Sequence, residues 1–104
     1  ITNKNNLYYT GQYSTDDKRL GIHAEMNAFV SALSNKDGVI THLGLTSSKH
    51  VNTPCQMCGC CRQFYAEIIQ RTKQDIKFYC FSNDGSKMDY YKGIKELLPN
   101  CWKN

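Results

Sequence analysis

The feature that most constrains this chain is a cluster of cysteines near its middle. Four of the six cysteines, Cys55, Cys58, Cys60 and Cys61, fall within seven residues. Six cysteines can form three disulfides in a small secreted domain, but neighbours such as Cys60 and Cys61 pair with each other only under strain. C-x-x-C spacings suit a metal ion better, because thiolates spaced in this way converge on one zinc. The cluster therefore predicts a metal centre and a reducing, cytoplasmic compartment.

The length and the charge describe a small globular chain. A chain of 104 residues has room for a single core. No apolar run approaches the ~20 residues that span a bilayer, and no charged-then-apolar signal segment opens the sequence. The formal net charge of +4 comes from Lys and Arg residues scattered among acidic ones. Since binding to nucleic acid relies on dense basic clusters, the sequence gives little support to such a partner and none to a membrane.

Hydrophobic periodicity predicts the order β-α-β-α-β-α. In the first helix, apolar residues recur at three- and four-residue steps, and turn-forming residues at 35–38 end it. The predicted elements are strands at 6–14, 39–45 and 76–82, and helices at 21–34, 61–73 and 89–100. This order predicts an α/β sandwich in which helices pack on a sheet.

A second motif, His23-x-Glu25, stands at the predicted start of the first helix. Catalytic zinc takes three protein ligands and leaves a fourth position for water. One imidazole and two thiolates supply those three ligands. Glu25 follows His23 by two residues, so it can lie near the metal without binding it and can transfer protons. H-x-E followed by P-C-x-x-C is the signature of the zinc deaminases.

The whole chain resembles the nucleoside-type cytidine deaminases. LYYTGQYSTDDKRLGIHAEMNAF is similar to the family's strand, loop and [CH]AE helix, RQFYAEI to the helix after its second cysteine, and ELLPNCW to its C-terminal LLP and aromatic residue. The resemblance implies a three-layer α-β-α sandwich with a mixed sheet, which lacks the family's N-terminal helix and first strand. It implies one zinc-dependent deaminase domain over residues 1–104, one zinc per chain, and a homodimer or homotetramer.

The same resemblance implies an activity, the hydrolytic deamination of cytidine or deoxycytidine to uridine or deoxyuridine with release of ammonia. Glu25 protonates the ring nitrogen of the cytosine and then the leaving amine. Arg62 is expected beside the thiolates, where it offsets part of their negative charge. The positions expected to contact the small-molecule nucleoside are Ala24, Tyr13, Asp16 and Trp102, the last of these at a neighbouring subunit's site.

Two overlapping cysteine pairs fit the zinc motif, Cys55 with Cys58 and Cys58 with Cys61. Pro54 precedes Cys55, as the signature asks. The helix that follows favours the other pair, because taking Cys58 as the last ligand turns Arg62 toward the interior, where an unpaired charge is unfavourable. Taking Cys61 as the last ligand places apolar residues three, four and seven positions further on, namely Phe64, Tyr65 and Ile68. The helical register therefore favours Cys58 and Cys61, and Cys55 with Cys58 is the alternative pair.

The match to the family is weakest where its members carry an Asn-x-Glu-Asn stretch that holds the ribose. This chain reads GQYSTDDK there, with Tyr13 and Asp16 at the corresponding places. Alternative substrates are therefore a cytosine-bearing nucleoside analogue or antibiotic, and a base within single-stranded nucleic acid. An alternative of another class is a non-catalytic interaction domain stabilised by zinc, which would not need Glu25.

Overall fold

A computed structural model describes residues 1–11, 23–37 and 39–99 of the chain. In chain order its elements are α1 (Ala24–Ser34), β1 (His42–Leu45), α2 (Gly59–Thr72), β2 (Lys77–Phe81), β3 (Met88–Tyr91) and α3 (Ile94–Leu97). None of the helices within these three ranges has the length and apolar character needed to cross a bilayer. The alternation of helices and strands belongs to the α/β class.

The three strands form one mixed sheet in the order β1-β2-β3. β1 and β2 run parallel, with His42 opposite Lys77, and β2 and β3 run antiparallel, with Phe81 opposite Met88. A parallel pair needs a crossover connection, and α2 lies between β1 and β2 in the chain. The predicted α/β fold with a mixed sheet is confirmed.

One face of the sheet packs against the helices. In β2, Phe78 and Cys80 are buried while Lys77 is exposed, as expected for a strand with one covered face. α1 and α2 pack side by side, with the ring of Phe29 edge-on to that of Phe64 at 5.7 Å between centroids. The core residues are Ala32, Ile40, Leu43, Met57, Cys61, Tyr65, Ala66, Ile68, Ile76, Phe78, Ile94 and Leu97. This shared core holds together the two helices that begin at the sequence motifs.

The strand predicted at 6–14 is wrong over residues 6–11, which contain no strand; residues 12–14 lie outside the described ranges. The N-terminal segment turns back on itself, since the N–H of Asn5 donates to the carbonyl of Thr2 at 3.0 Å. Thr2 makes an isolated antiparallel bridge with Ile40. Strand propensity is a measure of packing on a pleated surface, and here Tyr8 packs against the core and bonds to Asp37.

The helix predicted at 89–100 is wrong in its first part, because Met88–Tyr91 is strand β3 and the helix spans only Ile94–Leu97. A tight turn precedes β3. Oδ1 of Asp84 accepts hydrogen bonds from the N–H of Ser86 at 2.9 Å and the hydroxyl of Ser82 at 2.8 Å. Gly85 has a φ of 76°, which glycine adopts without strain. This turn directs the next residues back along β2, so pairing across the sheet overrides their helical periodicity.

Asp37, just after α1, anchors the N-terminal segment. Its Oδ2 accepts hydrogen bonds from Asn6 Nδ2 at 2.7 Å, Thr2 Oγ1 at 2.8 Å and the Tyr8 hydroxyl at 3.1 Å. The bond from Asn6, with those from Thr2 and Tyr8, holds the pKa of Asp37 below its ordinary value, although burial opposes this. The ionised carboxylate is therefore the form that stabilises the folded chain.

Substitution Asp37→Asn is expected to lower the urea concentration at the midpoint of unfolding at pH 7. Because the pKa of Asp37 is lowered in the folded chain, its stabilisation is present above the unfolded value of about 3.9. It is lost as the pH falls through the folded value. The urea midpoints of Asp37→Asn and the wild type should thus differ less at pH 3 than at pH 7. The exposed Asp89 provides the control Asp89→Asn; a pH-independent difference for Asp37→Asn would contradict the prediction.

Candidate metal and catalytic centre

The centre lies where α1 and α2 both begin. His23 is the N-cap of α1, with φ −74° and ψ 142°, and Cys58 is the N-cap of α2, with φ −67° and ψ 159°. Both conformations are extended, as N-cap residues usually are. Sγ of Cys58 accepts a hydrogen bond from the N–H of Cys61 at 3.4 Å, so a sulfur is the N-cap acceptor here, where a serine or aspartate oxygen is more usual.

Three potential metal ligands lie within contact distance of one another. Nδ1 of His23 is 3.4 Å from Sγ of Cys58 and 3.3 Å from Sγ of Cys61. In a tetrahedral zinc site, with bonds of about 2.0–2.1 Å to nitrogen and 2.3 Å to sulfur, neighbouring nitrogen and sulfur atoms lie about 3.6 Å apart. A carboxylate oxygen of Glu25 completes a group whose ligand atoms all lie within 4.8 Å of one another. The arrangement and chemistry of these atoms fit one zinc ion.

The charges in the group also favour a bound cation. Cys61 is fully buried and Glu25 is 7% exposed. Burial, followed by the charge of the nearby Glu25 carboxylate, raises the pKa of the Cys61 thiol well above its usual range. A buried carboxylate and a buried thiol held this close are unfavourable as two anions, and a divalent cation reverses that balance.

The two cysteine pairs considered from the sequence occupy different places. Cys58 and Cys61 lie beside His23. The thiol of Cys55 instead donates to the carbonyl oxygen of Leu45 at 3.3 Å, and burial raises its pKa. Cys55 thus contacts β1, and the structure does not bring the alternative pair of Cys55 and Cys58 together with the histidine.

The remaining cysteines of the described chain also stand outside the metal group. Cys60, in the first turn of α2, is exposed, and Cys80 is buried in β2. Burial raises the pKa of Cys80 to about 11, with a further contribution from the neighbouring Cys55. Both Cys55 and Cys80 are therefore buried core thiols, and Cys60 is a solvent-facing thiol directly before Cys61.

Arg62 ties the start of α2 to two other segments. Its Nε donates to the carbonyl of Met57 at 2.8 Å, and its Nη1 donates to the carbonyl of Leu97 at 2.8 Å. The first bond fixes the loop that carries Cys58, and the second reaches the end of α3. The charge-offsetting effect on the thiolates that the resemblance implies stays a prediction.

A cavity of about 680 Å³ adjoins the centre. Ala24 and Glu25 form part of its wall, and apolar side chains such as Leu45 form most of the rest. Thr10 also lines the cavity, and its hydroxyl donates to the carbonyl of Ala24 at 2.8 Å. Tyr13, Asp16 and Trp102, the other positions expected to contact substrate, lie outside the described residues.

Sequence reasoning missed one polar contact of the centre. Tyr65 was assigned to the apolar face of its helix, and it is fully buried, but its hydroxyl donates to the carbonyl oxygen of Glu25 at 2.5 Å. Burial raises the pKa of this phenol, so it stays a donor. The available signal was residue type: a tyrosine four residues after Cys61 brings to the core a hydroxyl that needs a partner.

Sequence comparison gives no assignment, since no protein-family model matches the chain and no curated protein matches it. Structural comparison does. The chain superimposes on the 1.6 Å crystal structure of cytidine deaminase from Burkholderia pseudomallei with a TM-score of 0.75 and 21% sequence identity. The match covers 98% of this chain and 76% of that one.

The chain has a cytidine deaminase fold. The resemblance predicted from the motifs and the similarity found from the coordinates therefore agree on the fold, although only 21% of the aligned residues are identical. Within this cytidine deaminase fold, the side chains of His23, Glu25, Cys58 and Cys61 form a group that could hold a metal ion.

Proposed function

We propose that this protein is a zinc-dependent hydrolase that deaminates cytidine or deoxycytidine to the corresponding uridine, with release of ammonia. One observation carries the proposal: the imidazole nitrogen of His23 lies 3.3–3.4 Å from two cysteine sulfurs, with the buried Glu25 carboxylate beside them. The cytidine deaminase fold supports it.

In the proposed reaction, three residues would bind the metal and a fourth would transfer protons. His23, Cys58 and Cys61 would hold the zinc, which supplies Lewis acidity that brings the pKa of a bound water to about 7. Glu25 moves the protons: its carboxylate takes one from the attacking water and delivers it to the ring nitrogen. It then takes the remaining proton from the oxygen that has been added to the ring carbon and delivers it to the amino group, so that the carbon–nitrogen bond breaks, ammonia leaves and a carbonyl forms. The Glu25 carboxylate suits proton transfer because it is buried and lies beside the proposed metal ligands.

The cavity next to Glu25 supports a small-molecule substrate. Its volume of about 680 Å³ lies within the range of roughly 300–1,000 Å³ found for ligand pockets. Its mostly apolar walls would lower the local dielectric around a bound substrate, which strengthens electrostatic interactions with it. The proposal includes Ala24 as a wall that contacts the substrate, with Tyr13, Asp16 and Trp102 as further contacts.

The assembly and location that accompany this activity are also proposals. They are a homodimer or homotetramer to which Trp102 contributes, a single deaminase domain over residues 1–104, and a cytoplasmic location. The proposed zinc ligands Cys58 and Cys61 bind metal only as reduced thiolates, which supports a reducing compartment.

A direct assay tests the activity. Zinc-loaded protein incubated with cytidine or deoxycytidine is expected to lower the ultraviolet absorbance of the nucleoside and to release one ammonia per nucleoside converted. Parallel reactions contain cytosine-bearing nucleoside analogues and single-stranded oligonucleotides. If only an analogue is converted, the proposed substrate changes to that analogue and the proposed deamination reaction stays the same. Protein that holds one zinc per chain and releases no ammonia from any of these would contradict the proposal.

A further inference from the structure

Among the described residues, the two helices that form the centre meet through apolar side chains and through the contacts of His23 with the two thiols. α1 brings His23 and Glu25, and α2 brings Cys58 and Cys61. Their packing is mostly apolar, as in the edge-on contact of Phe29 with Phe64. Apolar contacts are non-directional, so they bring helices together without fixing how one slides against the other.

The hydroxyl of Tyr65 is a directional contact between the same helices. It donates at 2.5 Å to the backbone carbonyl of Glu25, in the first turn of α1. Its ring is held from two sides, 5.4 Å from that of Phe64 and 6.0 Å from that of Phe78, both edge-on. Tyr65 follows Cys61 by four residues, so both side chains leave α2 on the same face.

We propose that Tyr65 is a positioning residue for the centre. Its hydroxyl sets the first turn of α1 against α2, and thereby sets both the spacing of His23 from the two sulfurs and the place of the Glu25 carboxylate. The packing of the Tyr65 ring holds its hydroxyl in place, and the hydrogen bond from this hydroxyl holds the backbone carbonyl of Glu25 in place. The catalytic part of this inference rests on the proposed function; the part about the metal ligands does not.

The test compares two variants that each lose one hydroxyl-to-carbonyl bond on α2. Tyr65→Phe keeps the ring and removes the donor to Glu25. Thr72→Val removes the bond from Thr72 Oγ1 to the carbonyl of Ile68, which is 3.0 Å long and lies at the opposite end of the helix. Zinc affinity is measured by competition with a chromophoric chelator, and ligand geometry from the absorption bands of the cobalt(II) form.

We expect Tyr65→Phe to bind zinc about tenfold more weakly, the scale found for residues that orient metal ligands, and to shift the visible cobalt bands. Thr72→Val should retain the zinc affinity and the cobalt spectrum of the wild type at a comparable unfolding midpoint. With cytidine, Tyr65→Phe should lower kcat about tenfold while KM changes less than twofold, because the cavity wall is untouched.

Wild-type zinc affinity and cobalt bands in Tyr65→Phe, or equal changes in Thr72→Val, would overturn the inference. If Tyr65→Phe does not fold, 4-fluorophenylalanine at position 65 keeps the ring and fills part of the space of the hydroxyl without a donor; weaker zinc binding and shifted cobalt bands would support the inference, and wild-type values would overturn it. Failure of the wild type to act on cytidine would count against the proposed function only, since the zinc and cobalt measurements decide the role of Tyr65 without turnover.

Discussion

Glu25→Gln is expected to lower kcat/KM for cytidine by about 10²–10⁴-fold, the usual contribution of a proton-transferring side chain, while zinc stays bound. The amide has nearly the shape of the carboxylate, so the first turn of α1, in which Glu25 is buried, and the neighbouring His23 should keep their places. What the variant loses is a group that accepts a proton from water and returns it to the substrate. Steady-state kinetics and zinc content measured on the same preparation check both parts.

Glu96→Gln is the matched control for Glu25→Gln, because Glu96 is exposed in α3 and does not belong to the metal-binding group. It should leave kcat/KM unchanged. A Glu25→Gln protein that keeps full turnover with zinc bound would remove the role assigned to the carboxylate. If no activity is found in the wild type either, the non-catalytic zinc-stabilised domain becomes the better account.

Cys58→Ser is expected to weaken zinc binding by more than about 100-fold, because losses in the shell around metal ligands already reach 10–100-fold. Serine is a good N-cap, so α2 should still begin at Gly59 and the change should act on the metal. Zinc bound to the folded chain stabilises it by about 2.7 kcal/mol at a hundred times its Kd. Thermal unfolding with and without zinc should therefore show a rise in Tm for the wild type that this variant lacks.

Two other cysteines serve as controls for Cys58→Ser. Cys60 is exposed like Cys58 and lies only two residues away, outside the group of ligands, so Cys60→Ser should retain one zinc per chain and the rise in Tm. Cys55→Ser should also retain the zinc, because the thiol of Cys55 bonds to the carbonyl of Leu45. Loss of zinc in Cys55→Ser together with its retention in Cys61→Ser would instead support the alternative pair.

The parts of the fold that followed from the sequence are those in which a local pattern repeats. The helical periodicity after His23 and after Cys61 gave α1 and α2 nearly in place. The segments that failed carry patterns whose meaning depends on a distant partner. Aromatic residues at 6–11 favour a strand only where a neighbouring strand is available. The periodicity around Tyr90 predicts a helix, but the turn at Asp84 brings Tyr90 opposite Tyr79 in the sheet.

The candidate site divides in the same way. The spacing of His23 and Glu25, and that of Cys58 and Cys61, are local and could be read as motifs. The helical register after the cysteines correctly indicated which of them faces inward, since Cys61 is buried with Tyr65 on the same face. The direction of the Cys55 thiol toward β1 had no local signal, because it depends on the path of the loop before α2.

The sequence by itself determined which chemical groups this protein can offer, since ligand types, helix periods and motif spacings are properties of neighbouring residues. Only the tertiary structure decided which of them meet. Thirty-three residues lie between Glu25 and Gly59, and no local rule sets the distance between the helices that begin near them. That distance is set by a shared core and by one buried hydroxyl, whose effects depend on packing in three dimensions.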